Sequence, residues 1–108
     1  LISMNSTTVR LPKVNDVLHS SWGYDQTNAT FYLVTKVTGA RVTLQTLRNI
    51  ETPRGPMFGS AVPDLKSFTG APMVKGFRAT EKDYYVKVAS YAGAFLWNGK
   101  PAEVSHTH

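Results

Sequence analysis

The 108-residue chain contains no cysteine. Disulfide cross-links, thiolate metal sites and a cysteine nucleophile are therefore excluded, and the core must hold by packing alone. No run of about 18 apolar residues is present, so a membrane-spanning helix is not expected, and Leu1-Ile2-Ser3-Met4 is too short for a signal-peptide core. A cytoplasmic protein with no membrane partner is the expectation. No window shows a convincing helical stripe at i, i+3, i+4 and i+7, which argues against amphipathic helices. Acidic residues are also scarce, 7 against 12 Lys and Arg, for a formal charge of +5. The imbalance is central: Lys36, Arg41, Arg48, Arg54, Lys66, Lys75 and Arg78 face only Glu51 and Asp64 across that stretch. A basic surface gains affinity for polyanions by releasing their condensed counterions, although singly spaced charges also serve simply to keep a small protein soluble.

What is present reads as β-structure. With 42% hydrophobic and 18% charged residues the chain suits one packed domain over 1–108, the ends (about 1–10 and 102–108) being expected to lie loose. Short runs rich in Val, Tyr, Phe and Thr are bounded by turn formers. The clearest is a hairpin from Thr30 to Leu47 about a turn at Thr38-Gly39-Ala40. Val14-Asn15-Asp16 looks like a turn opening a strand from Val17 to Trp22. Met73–Arg78 and Tyr84–Val88 are further strands, and in the second Tyr85 and Lys87 alternate with Tyr84, Val86 and Val88. Ala89–Trp97 fits either a short helix or a last strand. Pro53-Arg54-Gly55-Pro56 and the stretch from Pro63 to Pro72 read as loops. The fold class expected is all-β, or β-rich α+β: a small curled antiparallel sheet or SH3-like barrel of five to six short strands.

The densest polar cluster runs from His19 to Asn28. Trp22 and Tyr24 offer flat rings for stacking, while Asp25, Gln26 and Asn28 offer donors and acceptors. The same residues also suit a structural role, in which Asp25 and Asn28 bond the loop's own backbone and Trp22 caps the core. His19, Ser20, Ser21 and Asp25 hold the ingredients of a nucleophilic triad, but no nucleophile elbow accompanies them and strand neighbours point to opposite faces, so no catalytic residue is assigned. No metal site is expected either: His19 has no second histidine at useful spacing, and His106 and His108 sit at the chain end. Gly93 to Pro101 evokes a phosphate-binding loop, yet five residues separate Gly93 from Gly99 and Pro101 stands where the hydroxyl residue belongs. Asn98-Gly99 is better read as a tight turn, and Tyr91, Phe95 and Trp97 as packing that closes the domain.

Two stretches carry a resemblance. Val17-Leu18-His19-Ser20-Ser21-Trp22-Gly23-Tyr24-Asp25-Gln26-Thr27-Asn28 with Phe31-Tyr32, and Tyr85-Val86-Lys87 leading through Ser90-Tyr91 to Leu96-Trp97-Asn98-Gly99-Lys100-Pro101, resemble a family of small uncharacterised proteins of bacteriophages and bacterial mobile elements. The resemblance covers the first strand to the hairpin and the final third, and omits the middle from Ile50 to Thr80. It implies an accessory protein of the bacterial host cytoplasm and brings no catalytic or binding residues with it.

The expectation is thus a non-catalytic binding module without a cofactor, acting on nucleic acid. Trp22, Tyr24 and Tyr32 would supply rings, Asp25, Gln26 and Asn28 polar contacts, and Lys36, Arg41, Arg48 and Arg54 phosphate contacts. The alternative is a protein-binding inhibitor of a host defence complex, anti-CRISPR-like, or a structural adaptor, with the rings as interface anchors. An enzyme using His19 or Asp25 as general base is the third reading. Pairing of copies through a free strand edge, giving a homo-oligomer, is compatible with each.

Overall fold

The computed structural model describes residues 11–22, 28–53, 55–80, 83–89 and 92–105, with Trp22 described in its backbone only. These residues form β1 (Val17–Trp22), β2 (Asn28–Thr38), β3 (Arg41–Pro53), β4 (Phe58–Ala79), β5 (Tyr84–Ala89), β6 (Ala92–Leu96) and β7 (Ala102–Ser105), and no helix is found among them. Every pairing is antiparallel. The strand order β3-β2-β1-β6-β5-β4, with β3 also paired to β4, closes six strands into an up-and-down barrel. Closure removes the free edges that such short strands would otherwise expose. β7 lies outside the barrel, along the first residues of β4.

Alternation builds the interior. Leu18, Tyr32, Val34, Val42, Leu44, Tyr84, Val86 and Ala94 point inward and are buried, with Val37, Met73, Phe77, Val88 and Leu96 packed around them. Each large apolar side chain in this set contributes about 1.5–3 kcal/mol by leaving water. The phase holds in β2 because one extra residue is absorbed between Val34 and Lys36, so that Val34 and Val37 both face in.

β4 is the longest strand, 22 residues against 13 in β3. Leu44 pairs with Met73 and Thr46 with Thr69, then Leu47 with Phe68 and Arg48 with Asp64, so β4 takes up surplus residues at two bulges. Bulges bend a strand and increase its twist. Gln45 supports the first: its Nε2 donates to the carbonyls of Thr69 (3.2 Å) and Gly70 (3.0 Å), and Gly70 adopts a φ of 75° that a side chain would strain. The stretch from Pro63 to Pro72 is therefore not the loop its composition suggests. It lies inside β4, where Pro72 falls in a bulge and needs no ladder N–H.

Beyond the bulges, the start of β4, the end of β3 and β7 form a three-stranded layer over the outer face of β1 and β2. Ala61, Leu47 and Val104 pack there on Ala29 and Phe31, joined by Val17, Leu33, Trp97 and Ala102. Trp97 meets Phe31 edge-to-face at 5.6 Å and donates its Nε1–H to the Lys100 carbonyl. The Asn98-Gly99 turn is as expected, with Gly99 at φ 83° and Asn98 Oδ1 accepting from the Lys100 N–H. Residues 102–105, expected to lie loose, instead form β7, and Val104 is 4% exposed. No helix of the described residues is long and apolar enough to cross a membrane.

Candidate functional site

The outer face of the barrel carries a row of directly opposed residues. Arg78 of β4 stands opposite Tyr85 of β5, Tyr85 opposite Phe95 of β6, Phe95 opposite His19 of β1, and His19 opposite Phe31 of β2. Directly opposed residues of antiparallel strands share a face, so these side chains form one continuous ladder. The three-stranded layer covers the Phe31 end completely, whereas Phe95 at the open end is 53% exposed.

Phe95 and Tyr85 are stacked, with centroids 5.4 Å apart and planes inclined at 25°. Gly93 lies beneath them: a Cβ there would meet the Phe95 ring at 3.4 Å and the Tyr85 ring at 3.7 Å. Glycine at this position leaves both rings room to lean over β6, with Phe95 keeping half of its surface in water.

Cations border this surface. Lys87 follows Tyr85 by two residues and stands opposite Gly93, and Arg78 faces Tyr85 directly. Arg41 of β3 stands opposite Gly76, two residues before Arg78. Arg41, Arg78 and Lys87 together line an open depression floored by Ala40, Gly76 and Phe77. Lys36 of β2 stands opposite Thr43, two residues from Arg41 on the same face. The four side chains are all exposed and form a basic track across β5, β4, β3 and β2, and none makes an ion pair with a described residue. Asp83, the acidic group preceding Tyr85 by two residues, accepts a hydrogen bond from Thr80 Oγ1 at 3.0 Å within a tight turn.

His19 marks the boundary between the covered and open halves of the ladder. Its ring stacks on Phe31 at 5.0 Å, its Nε2 is buried without a hydrogen-bond partner among the described residues, and burial pushes its pKa below the ordinary value. A ring so placed packs between the covered and open halves of the ladder. Among the described residues no three His, Cys, Asp or Glu side chains group as metal ligands.

The residues expected from sequence fare differently. Lys36 and Arg41 join the basic track. Arg48 is exposed but points to the opposite face of β3 from Arg41, roughly 20 Å along the strand, and stands opposite Asp64. Tyr32 is corrected: at 8% exposure its ring packs in the barrel interior, because its strand phase is that of Val34 and not of Phe31, and it cannot stack on a ligand. Asn28 opens β2 opposite Trp22 and is half-buried. The Trp22 side chain, Tyr24, Asp25, Gln26 and Arg54 lie outside the described residues. Sequence reasoning missed Tyr85, Phe95, Arg78 and Lys87 as a group. Phe95, expected to close the core, faces out. The signal was the alternation Gly93/Phe95 against Ala94/Leu96, which puts the two aliphatic residues on one face and the glycine and ring on the other.

No protein-family model matches the chain, and comparisons with curated proteins and with solved structures likewise find no match.

Proposed function

We propose that the protein is a non-catalytic nucleic-acid-binding module, a small accessory protein of the bacteriophage or mobile-element kind its motifs resemble, working in the bacterial cytoplasm. The observation that supports this reading is the convergence of Arg41, Arg78 and Lys87 on one open depression, with Lys36 further round the barrel on β2, without acidic partners among the described residues. Cations held on a rigid sheet and left unneutralised are a phosphate-binding surface in waiting, since contact with a nucleic acid releases counterions from the polyanion. Four such contacts predict that log K falls against log[salt] with a slope of roughly −3 to −4, depending on whether the ligand is a single or double strand.

The test is a salt titration of binding to DNA and RNA, repeated with Arg41, Arg78 and Lys87 changed together to alanine. The slope should shrink by about 2 to 3 units and affinity should fall across all sequences alike. Salt-independent binding, or none to either nucleic acid, rejects the reading.

A protein-binding inhibitor or adaptor is the second reading, and a separate feature favours it: Ile50, Met57 and Phe58 are exposed near the end of the β3–β4 hairpin, Phe58 at 64%. Apolar side chains grouped at a protruding tip suit an interface anchor. Capture of a specific host protein, lost in Phe58→Ser but retained in the triple alanine variant above, would favour this reading over the first.

A further inference from the structure

We infer that the ligand of the outer face is single-stranded nucleic acid, with an unpaired base stacked on the Tyr85–Phe95 pair and its backbone following Lys87, Arg78 and Arg41. The inference rests on the nucleic-acid reading above and narrows it.

The chemistry of the surface selects for exposed bases. In a duplex both flat faces of every base are covered by neighbours, leaving ring edges in the grooves and phosphates outside. A surface for duplex DNA therefore needs cations together with an element that enters a groove, a helix or a two-stranded ribbon. No helix occurs among the described residues. The β3–β4 ribbon from 49 to 65 carries Glu51 and Asp64 against Arg54 alone, and its Ala61 is packed with Val104 against Ala29 and Phe31 of the barrel. Such a ribbon is held down on one side and brings no net positive charge to a groove.

The Tyr85–Phe95 surface has the opposite properties. A phosphate surface has no use for a Phe ring 53% exposed at its border. An unpaired base does: its π-face and the ring face are both poorly solvated, and stacking removes both from water. Gly93 has no side chain to separate the rings, which are already stacked on each other and leave Phe95 accessible to a base. Adjacent strands are about 4.8 Å apart, so Arg78 on β4 lies roughly 10 Å round the barrel wall from Phe95 on β6, and Arg41 lies one strand further and two residues along, opposite Gly76. Cations therefore begin beside the rings and continue in one direction away from them, the arrangement by which single-strand binders combine a stacking platform with a charged groove. In the other direction the ladder runs under the three-stranded layer through His19 and Phe31, which blocks that route. The strand accordingly has one path, from Phe95 across β5 and β4 toward β3. Stacking recognises every base by its face, so little sequence preference is expected.

The experiment measures fluorescence anisotropy of the full chain with a labelled oligothymidylate, a labelled oligouridylate and a duplex of the same length, at low salt. One or both single strands should bind roughly tenfold or more tighter than the duplex. Phe95→Leu keeps apolar bulk but removes the π-face, and should weaken single-strand binding by roughly five- to a hundredfold while leaving duplex binding unchanged. Phe95→Trp enlarges the π-face and should bind single strands tighter than the parent, and this second variant decides the matter if the first proves unstable in urea unfolding. Equal affinity for duplex and single strand, or single-strand affinity indifferent to both Phe95 variants, overturns the inference while leaving the phosphate-binding reading in place. Absence of binding to all three probes removes that reading as well.

Discussion

The Tyr84 hydroxyl donates a 2.7 Å hydrogen bond to Oδ2 of Asp16, joining residues 68 positions apart. Tyr84 is fully buried and Asp16 is 9% exposed. The same carboxylate oxygen accepts the Lys13 N–H at 2.9 Å, and the Asp16 carbonyl accepts the Val34 N–H at 2.8 Å. Asn15, at φ 78°, completes the turn and donates its N–H to the Val34 carbonyl. One carboxylate thus ties the entry turn to β5 while its backbone ties that turn to β2, on which Lys36 of the basic track is carried.

Tyr84→Phe removes the donor and preserves the ring's packing. Hydrogen bonds to charged acceptors contribute more than neutral ones, so the variant should lose about 1.5–3 kcal/mol of unfolding free energy. Asp16→Ala should lose more, because it removes the acceptor of both the Lys13 N–H and the Tyr84 hydroxyl. Urea unfolding at neutral pH reads both. A loss below about 0.5 kcal/mol for Tyr84→Phe would mean that water serves this site as well as the carboxylate does.

Ser20 supplies the converse case. It points into the barrel beside Leu18, is 1% exposed, and its Oγ has no hydrogen-bond partner among the described residues. A buried hydroxyl without a partner costs free energy, and alanine fills nearly the same space without it. Ser20→Ala should therefore raise stability by about 1 kcal/mol, against the usual direction of core substitutions. A destabilised variant would show that the hydroxyl is satisfied in solution.

The barrel was legible where local chemistry and hydrophobic period agree. Val17–Trp22 and the Thr38-Gly39-Ala40 turn stand where the residues predict, since alternation and turn formers act over a few neighbours. β4 was not legible, because Pro63, Gly70 and Pro72 are loop formers in isolation and become strand residues only when β3 lies alongside and Gln45 holds the bulged carbonyls. The same limit applies to β7: Ala102-Glu103-Val104-Ser105 carries little strand signal until Phe31 offers Val104 a place to pack. At the candidate site, Lys36 and Arg41 were found through charge alone. Phe95 was misassigned because an aromatic residue near a chain end reads as core, and the face it takes is decided by register with Tyr85 and His19.

His19 yields a prediction of pH-dependent stability. Its ring lies between Phe31, on which it stacks, and Phe95, its cross-strand partner, and its Nε2 is buried without a partner among the described residues. Protonation would place a charge in this apolar setting, so burial lowers the pKa of the folded state from the ordinary value of 6.5. In the unfolded chain the imidazole takes up its proton near that ordinary value, so below it the unfolded state binds more protons than the folded one. Stability from the neutral ring is therefore fully present above about pH 6.5 and declines as the pH falls below that point, until the folded pKa is reached. His19→Phe retains a ring for the stack and cannot titrate. Urea midpoints of parent and variant, compared from about pH 7.5 to 5, cancel the contributions of all other groups. The parent should lose stability relative to His19→Phe across the lower part of that range, while the two curves run parallel above it. Parallel curves throughout would mean that His19 titrates as freely folded as unfolded and that the boundary of the aromatic ladder is open to water, and a parent that gains on the variant in acid would mean that the folded state favours the protonated ring.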